Sequence, residues 1–401
     1  MPIKFLFTVA MCVTVTTLGT EEERPTSLKG FVDTDGKEVI PLQFQGAGEF
    51  SEGLVSVLIE GRWGFIDKMG QIAIQPQFNG ADSFKEGLAI VKIEDKYGYV
   101  NKEGRIVADP IFTDAQSFNE GLARVELNGK VGFIDKQGEF IADLVYDDAT
   151  TWFRNGLASV SINGKWGAIN KKGNLVIAPQ YSDCLKFRNG VARIDNLPIK
   201  NTNDFKTHYV NQQGKKVFEL PDNYEFSWTP RSGVLPPHFS EGLCRIFIDD
   251  RYWGYMDTKG DLALRLDPNV STVGEFSEGL TLFRRRGEWK YGFIDRSGSE
   301  IIPPKYSDVQ PFFEGVAAVA ISDRLLLMFE TGTWGYIDKK GNWLVEPQYD
   351  HASRIREGHA VVRKDNRVYV INTAGEVKFE FKYHRIGLYH EGLARVERRM
   401  N

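Results

Sequence analysis

Cysteine is scarce in this chain. Three in 401 residues cannot staple a small disulfide scaffold. A basic excess is missing too: the net charge is −4 and the pI about 6.0, which is not the profile of a nucleic-acid binder. No internal run approaches the ~18 apolar residues of a transmembrane helix. The longest local candidate, Leu325–Phe329, reads as a strand or a buried turn. Sustained helical periodicity is absent, as are a Gly-x-Ser-x-Gly elbow and a phosphate-binding glycine loop. What the chain does hold is glycine, 40 residues or about one in ten against a usual ~7%. Aromatics are generous at 12%. Without a collagen period or low complexity, that pairing points to many tight β-turns.

The N-terminus reads as a leader. Lys4 precedes an uncharged stretch from Phe5 to Thr20, with small residues near Gly19. This is the layout of a secretory signal peptide over residues 1–19, and it predicts a secreted, periplasmic or cell-surface protein with a mature end near residue 20. Met11 is too large for the small residue that lipoprotein cleavage needs before Cys12.

Three short boxes then recur in order. The first is Glu-Gly-Leu-like, with an aromatic three residues before the glycine, as in Phe50/Gly53, Phe84/Gly87 and Phe118/Gly121. The second is Trp-Gly-Phe-Ile-Asp or a variant, on Gly30, Gly64, Gly98, Gly132, Gly167, Gly254, Gly292 and Gly335, with degenerate copies at Tyr209-Val210-Asn211 and Val370-Ile371-Asn372. The third is Asp/Asn-x-x-Gly, closing on ten glycines from Gly36 to Gly375. Each unit reads as strands. Ala123, Val125 and Leu127 alternate with Arg124 and Glu126, the period of a half-buried strand. Asn128-Gly129 and Asn163-Gly164 then signal type I′ hairpins. A third strand runs to a proline-aromatic step, such as Pro76-Gln77-Phe78, where the proline is expected to end pairing. The divisions are repeats 1–5 over 28–195, a degenerate repeat with a proline-rich insertion over 196–240, and repeats 7–10 over 241–401. Further insertions fall at Asp195–Lys206 and Ser322–Thr333.

Gly-Arg-Trp-Gly-Phe-Ile-Asp-Lys-Met-Gly at 61–70 and Gly-Lys-Trp-Gly-Ala-Ile-Asn-Lys-Lys-Gly at 164–173 resemble the WG (KWG-type) repeats of bacterial proteins, over essentially residues 28–398. The resemblance implies tandem all-β repeats that act as interaction modules, often in exported proteins. Tyr97, Val131 and Tyr291 stand where others have Trp, so that position reads as structural. A single small sheet cannot bury its apolar face alone and needs neighbours. An open, curved or superhelical stack is favoured over a closed β-propeller. A unit of 34 residues is short for a four-stranded blade of ~40–45, and ten exceeds the usual ~4–8 blades.

No residue pattern names a reaction. The Asp-x-x-Gly turns, including Asp33-Thr34-Asp35-Gly36, lack the ligand set of a calcium loop. The histidines (His208, His238, His351, His359, His384, His390) match no zinc spacing. The recurrent Glu of the first box gives way to Asn155 and Asn189, which suits a turn hydrogen bond rather than general acid catalysis. No catalytic residue, cofactor or metal is assigned. Trp152, Trp228, Trp289 and Trp343, outside the Trp-Gly box, are the candidate ligand-contact aromatics. The expected function is that of a non-catalytic, exported scaffold binding a protein or glycan, with no nucleic-acid partner. The alternative is a carbohydrate-active enzyme on a β-repeat scaffold.

Overall fold

The computed structural model describes residues 27–195, 207–221, 223–225, 238–322, 332–383 and 385–399. All regular structure in them is β. Forty strands form ten four-stranded antiparallel sheets, ringed about an axis as the blades of a propeller. Residues 1–19, expected from the sequence to be a leader, lie outside the described residues.

Blade 1 shows how the sequence builds the unit. Gly46–Ala47 is a very short first strand. It pairs with Leu54–Ile59, which pairs with Arg62–Asp67, which pairs with Ile72–Phe78. Glu52 and Gly53 both take positive φ (55° and 87°), making the two-residue turn between the first and second strands, closed by the Ser51–Leu54 bridge. At the next turn Asp67 accepts the amides of Met69 and Gln71 at 2.9 and 2.8 Å, and Gly70 takes φ +78°. The two paired residues of the first strand are too few to show an alternating pattern. That is how a 34-residue repeat supplies four strands rather than three.

The ring closes, which corrects the expectation of an open stack. Ser27–Val32 pairs with Leu393–Arg399 through six consecutive residues, Ser27 opposite Arg399 to Val32 opposite Ala394. Blade 10 thus takes its first two strands, Arg385–His390 and Leu393–Arg399, from the C-terminal end of the chain, and the other two, Ser27–Val32 and Glu38–Phe44, from the N-terminal end. Neither end leaves an unpaired sheet edge within the ring.

Proline does not stop the fourth strand. Ile74 pairs with Phe65 and Phe78 with Trp63, so the strand bulges around Pro76 and resumes. The bulge passes directly over Gly64, where an added Cβ would meet Ile74 O at 2.6 Å and Pro76 N at 2.7 Å. The glycine of the Trp-Gly box is therefore a close-approach residue. Where His208 and Tyr369 replace it, the facing strands pair in regular register there, His208 with Glu219 and Tyr369 with Glu380.

The core lies between blades. A third-strand aromatic of one blade packs on the first-box aromatic of the next: Phe65–Phe84 at 4.8 Å between centroids, Tyr99–Phe118 at 5.0 Å, Phe133–Phe153 at 5.1 Å, Phe293–Phe312 at 4.9 Å, and Phe31–Phe50 at 4.9 Å across the closure. In blade 4 the third-strand position is Ala168, so Phe187 of blade 5 has no aromatic partner there.

Candidate functional site: an interrupted carboxylate chain

The first-box glutamates form a chain that follows the ring. Glu52 accepts the Gly87 amide of the next blade at 2.9 Å, Glu86 that of Gly121 at 2.8 Å, and Glu120 that of Gly156 at 2.8 Å. Beyond the degenerate region the chain resumes from Glu241 to Gly279, Glu278 to Gly315, Glu314 to Gly358 and Glu357 to Gly392, and Glu391 returns to Gly53. A basic residue from the following blade's third box reinforces many of these links, as Lys102 does at 3.1 Å from Glu52 and Lys68 at 3.0 Å from Glu391. At these eight junctions the turns sit close together, because one glutamate side chain spans each gap. First-box residues of five successive blades, from Lys85 to Glu241, line one cavity, which places these turns on the inner side of the ring.

Glutamate is a poor choice for a backbone at φ near +50°, a conformation that costs a non-glycine residue about 1–2 kcal/mol. The charge-assisted bond to the next blade offsets that strain, at about 1.5–3 kcal/mol. The reading of this residue as a turn hydrogen-bonder holds, with the partner in the next repeat. Burial pushes the Glu278 and Glu391 carboxyls up. Lys339 and the Gly315 amide outweigh it at Glu278, and Lys68 and the Gly53 amide at Glu391, so both titrate below their ordinary value.

Blades 4 and 5 break the chain. Asn155 and Asn189 fit the left-handed turn better than Glu but are one methylene shorter and uncharged. Neither caps the glycine of the following turn, Gly190 or Gly242. The basic partner is lost in step: Gln212 replaces the lysine and donates to the Asn155 carbonyl at 3.0 Å.

A cavity of about 720 Å³ spans the first-box turns from Lys85 of blade 2 to Glu241 of blade 6, this break included; Asn155 and Asn189 line it together with the basic Lys85, Arg154, Arg188 and His238 and the acidic Glu120 and Glu241. Arg154 and Arg188 occupy the position before Asn in successive turns. Desolvation lowers the Arg188 pKa, and the positive charge of Arg154 lowers it further, while Glu275 opposes. His238 pairs with Glu275 at 3.3 Å. A second, largely apolar cleft of about 590 Å³ opens beside it and shares Trp152, Arg154, Phe187, Arg188 and His238. Leu157, Trp166 and Leu185 extend its wall.

The candidate aromatics do not converge. Trp152 is 45% exposed and borders both cavities. Trp289, 66% exposed, stands on a blade 7 hairpin beside Arg284. Trp343 is half-buried against Tyr306, edge-on at 5.7 Å. Trp228 lies outside the described residues, as do His384 and Cys12; the chain re-enters the described structure at His238. Cys184 and Cys244 are free thiols. Among the described residues no three His, Cys, Asp or Glu side chains group as a metal set, and no helix is long and apolar enough to cross a membrane. The Asp-x-x-Gly carboxylates accept amides of their own turns, as Asp338 does from Lys340 and Asn342, both at 2.9 Å. Arg154 and Arg188 carried no signal in the sequence, since Lys85 and Arg356 share their position. The signal was the departure of Asn155 and Asn189, in adjacent copies, from the repeat's own Glu.

No curated protein matches the sequence. Among solved structures, a eukaryotic initiation factor is similar at 11% identity, with 84% of this chain and 96% of that one covered and a TM-score of 0.47. The computationally designed Ika8 protein is similar at 12% identity, with 81% and 95% covered and a TM-score of 0.30. BamB from Moraxella catarrhalis is similar at 11% identity, with 64% and 88% covered and a TM-score of 0.32. The family model for the WG containing repeat matches residues 30–63, 63–97, 97–130, 132–166, 166–196, 253–289, 291–323, 334–367 and 370–399. Those matches cover most of the chain and follow the blades round the ring, and the chain belongs to the WG containing repeat family.

Proposed function

We propose that the protein is a non-catalytic binding scaffold, exported by its leader, whose ligand seats on the inner wall of the ring at blades 4 to 6. One observation carries this reading. The carboxylate chain that ties neighbouring turns together is interrupted at two adjacent junctions, and the 720 Å³ cavity lies at that interruption. A purely structural ring gains nothing from losing two links side by side. A binding wall gains free polar groups, cationic side chains and an exposed tryptophan.

The test is a pull-down from the native envelope, with a glycan array in parallel, using residues 21–401 and the same protein carrying Trp152→Ala. The reading expects a ligand that the parent retains and the variant loses, while both give the same melting temperature. Equal retention by the two proteins would place binding elsewhere on the ring. Export is checked by N-terminal sequencing of the native protein, which is expected to begin near residue 20; retention of Met1 contradicts it.

A further inference from the structure

Resting on that reading, the chemistry of the interruption identifies the ligand class. At eight junctions the turn glycine amide is met by a carboxylate oxygen at 2.8–3.1 Å. In three of them, at Asn155/Gly156, Glu357/Gly358 and Glu391/Gly392, both amides of the turn donate to the same carboxylate. The turn is thus a carboxylate receptor that the chain normally fills from within. At Asn189/Gly190 and Glu241/Gly242 the same backbone geometry is kept, with φ of 50° and 85° in the first turn and 50° and 81° in the second, but no carboxylate of the preceding blade reaches it.

Two further features act in the same direction. At the position before the turn, where other blades carry Ser51, Lys85, Asn119, Ser240, Ser277, Phe313, Arg356 or His390, Arg154 and Arg188 are the two cations that stand beside Asn instead of Glu. They add two cations where two anions were removed. The adjoining cleft, walled by Trp152, Leu157, Trp166 and Phe187, offers an apolar receptacle beside the cationic one. A highly hydrated anion such as phosphate makes no use of that receptacle, and a uronate sugar has no apolar side chain to place in it.

We infer that the cavity at blades 4 to 6 binds a peptide through its carboxylate, seated on the open turn amides at Asn189/Gly190 and Glu241/Gly242 in the cavity that Arg154 and Arg188 also line, with the adjacent apolar side chain in the Trp152 cleft. Fixed amide donors and arginines recognise a carboxylate by charge-assisted hydrogen bonds, and the aromatic wall supplies apolar contact area.

The test uses full-length mature protein and the probe N-acetyl-Gly-Gly-Phe with a free C-terminus, against the same tripeptide as its C-terminal amide, followed by calorimetry and tryptophan fluorescence. The free acid is expected to bind about tenfold or more tightly than the amide. Arg154→Ala combined with Arg188→Ala is expected to abolish the difference. Asn155→Glu with Asn189→Glu restores the chain's own carboxylates, and is expected to block the probe with no loss of melting temperature. Equal affinity for acid and amide, or undiminished binding by the double-Glu variant, overturns the inference. Binding of inorganic phosphate or an oligogalacturonate by the same cavity, with none of the tripeptide acid, also overturns it. In each of those cases a Trp152-dependent ligand in the envelope pull-down leaves the scaffold reading standing.

Discussion

Glu391 accepts the Gly53 amide at 3.0 Å, so the last repeat of the chain grips the first by the same bond that links neighbours elsewhere in the ring. Lys68, from the third box of blade 1, completes the junction by pairing with Glu391 and donating to its carbonyl at 3.1 Å. Closure therefore combines this latch with the backbone pairing of Ser27–Val32 with Leu393–Arg399 and the Phe31–Phe50 contact.

The latch makes stability depend on acid. The folded Glu278 and Glu391 carboxyls titrate below the ordinary value of an unfolded glutamate, held down by Lys339 and Lys68 and the turn amides. Their contribution is full above that value and is lost as pH falls through the lower folded pKa. Glu391→Gln is expected to lower the melting temperature at pH 7 and to converge with the parent as pH falls toward 3. Thermal denaturation of both proteins from pH 3 to 7 checks it. A constant difference across the range contradicts it.

Gly98 lies under the Ala108–Pro110 bulge, where a Cβ would meet Ala108 O at 2.7 Å and Pro110 N at 2.8 Å. Gly98→Ala is expected to destabilise the protein by about 1–3 kcal/mol through overpacking against backbone. At Gly121 a Cβ meets nothing within 4 Å, but the φ of +89° strains any side chain, so Gly121→Ala fails for a different reason. Gly121→Asn is expected to recover part of that loss, whereas Gly98→Asn recovers none. Chemical denaturation of the four variants checks the distinction.

Truncating an inter-blade aromatic removes a buried ring from both blades that share it. Phe118, 2% exposed and 5.0 Å from Tyr99, is expected to cost about 3–5 kcal/mol as Phe118→Ala. Phe187, which faces the Ala168 position beside the cleft, is expected to cost less when truncated. Comparing the two denaturation midpoints at equal slope tests this.

The two described thiols differ in access. Cys244 is fully buried, and that burial pushes its pKa up to about 12; Cys184 is partly exposed. Iodoacetamide is expected to modify Cys184 in the native protein and Cys244 only on unfolding. Peptide mapping by mass spectrometry reads this out, and native modification of Cys244 first contradicts it.

Much of the blade was legible in the sequence. The alternation at Ala123, Val125 and Leu127 gave a strand, and Asn128-Gly129 gave its hairpin, with φ of 54° and 71°. The first strand was not legible, since Gly46–Ala47 pairs through only two residues and two residues have no period. Closure did leave a trace. The series of boxes opens on a second box, Gly30, and closes on a first box, Gly392, and these are the complementary halves of one unit. The site was hidden for a related reason. Glu52 reaches Gly87, 35 residues on, and only the packing of one blade on the next brings them together. Without that partner, Asn155 and Asn189 look like harmless turn substitutions.

An inner wall exists only in a closed ring, and a cross-link tests closure directly. Leu28 and Arg398 are paired opposite one another on the two terminal strands. Cysteines at facing positions of an antiparallel pair lie within the Cα separation of about 4.4–6.8 Å that a disulfide spans. Oxidised Leu28→Cys/Arg398→Cys protein is expected to be a monomer with one intramolecular bridge, joining the N-terminal and C-terminal peptides in a digest. A digest in which those peptides remain separate, or are joined only between molecules, would contradict the closed ring.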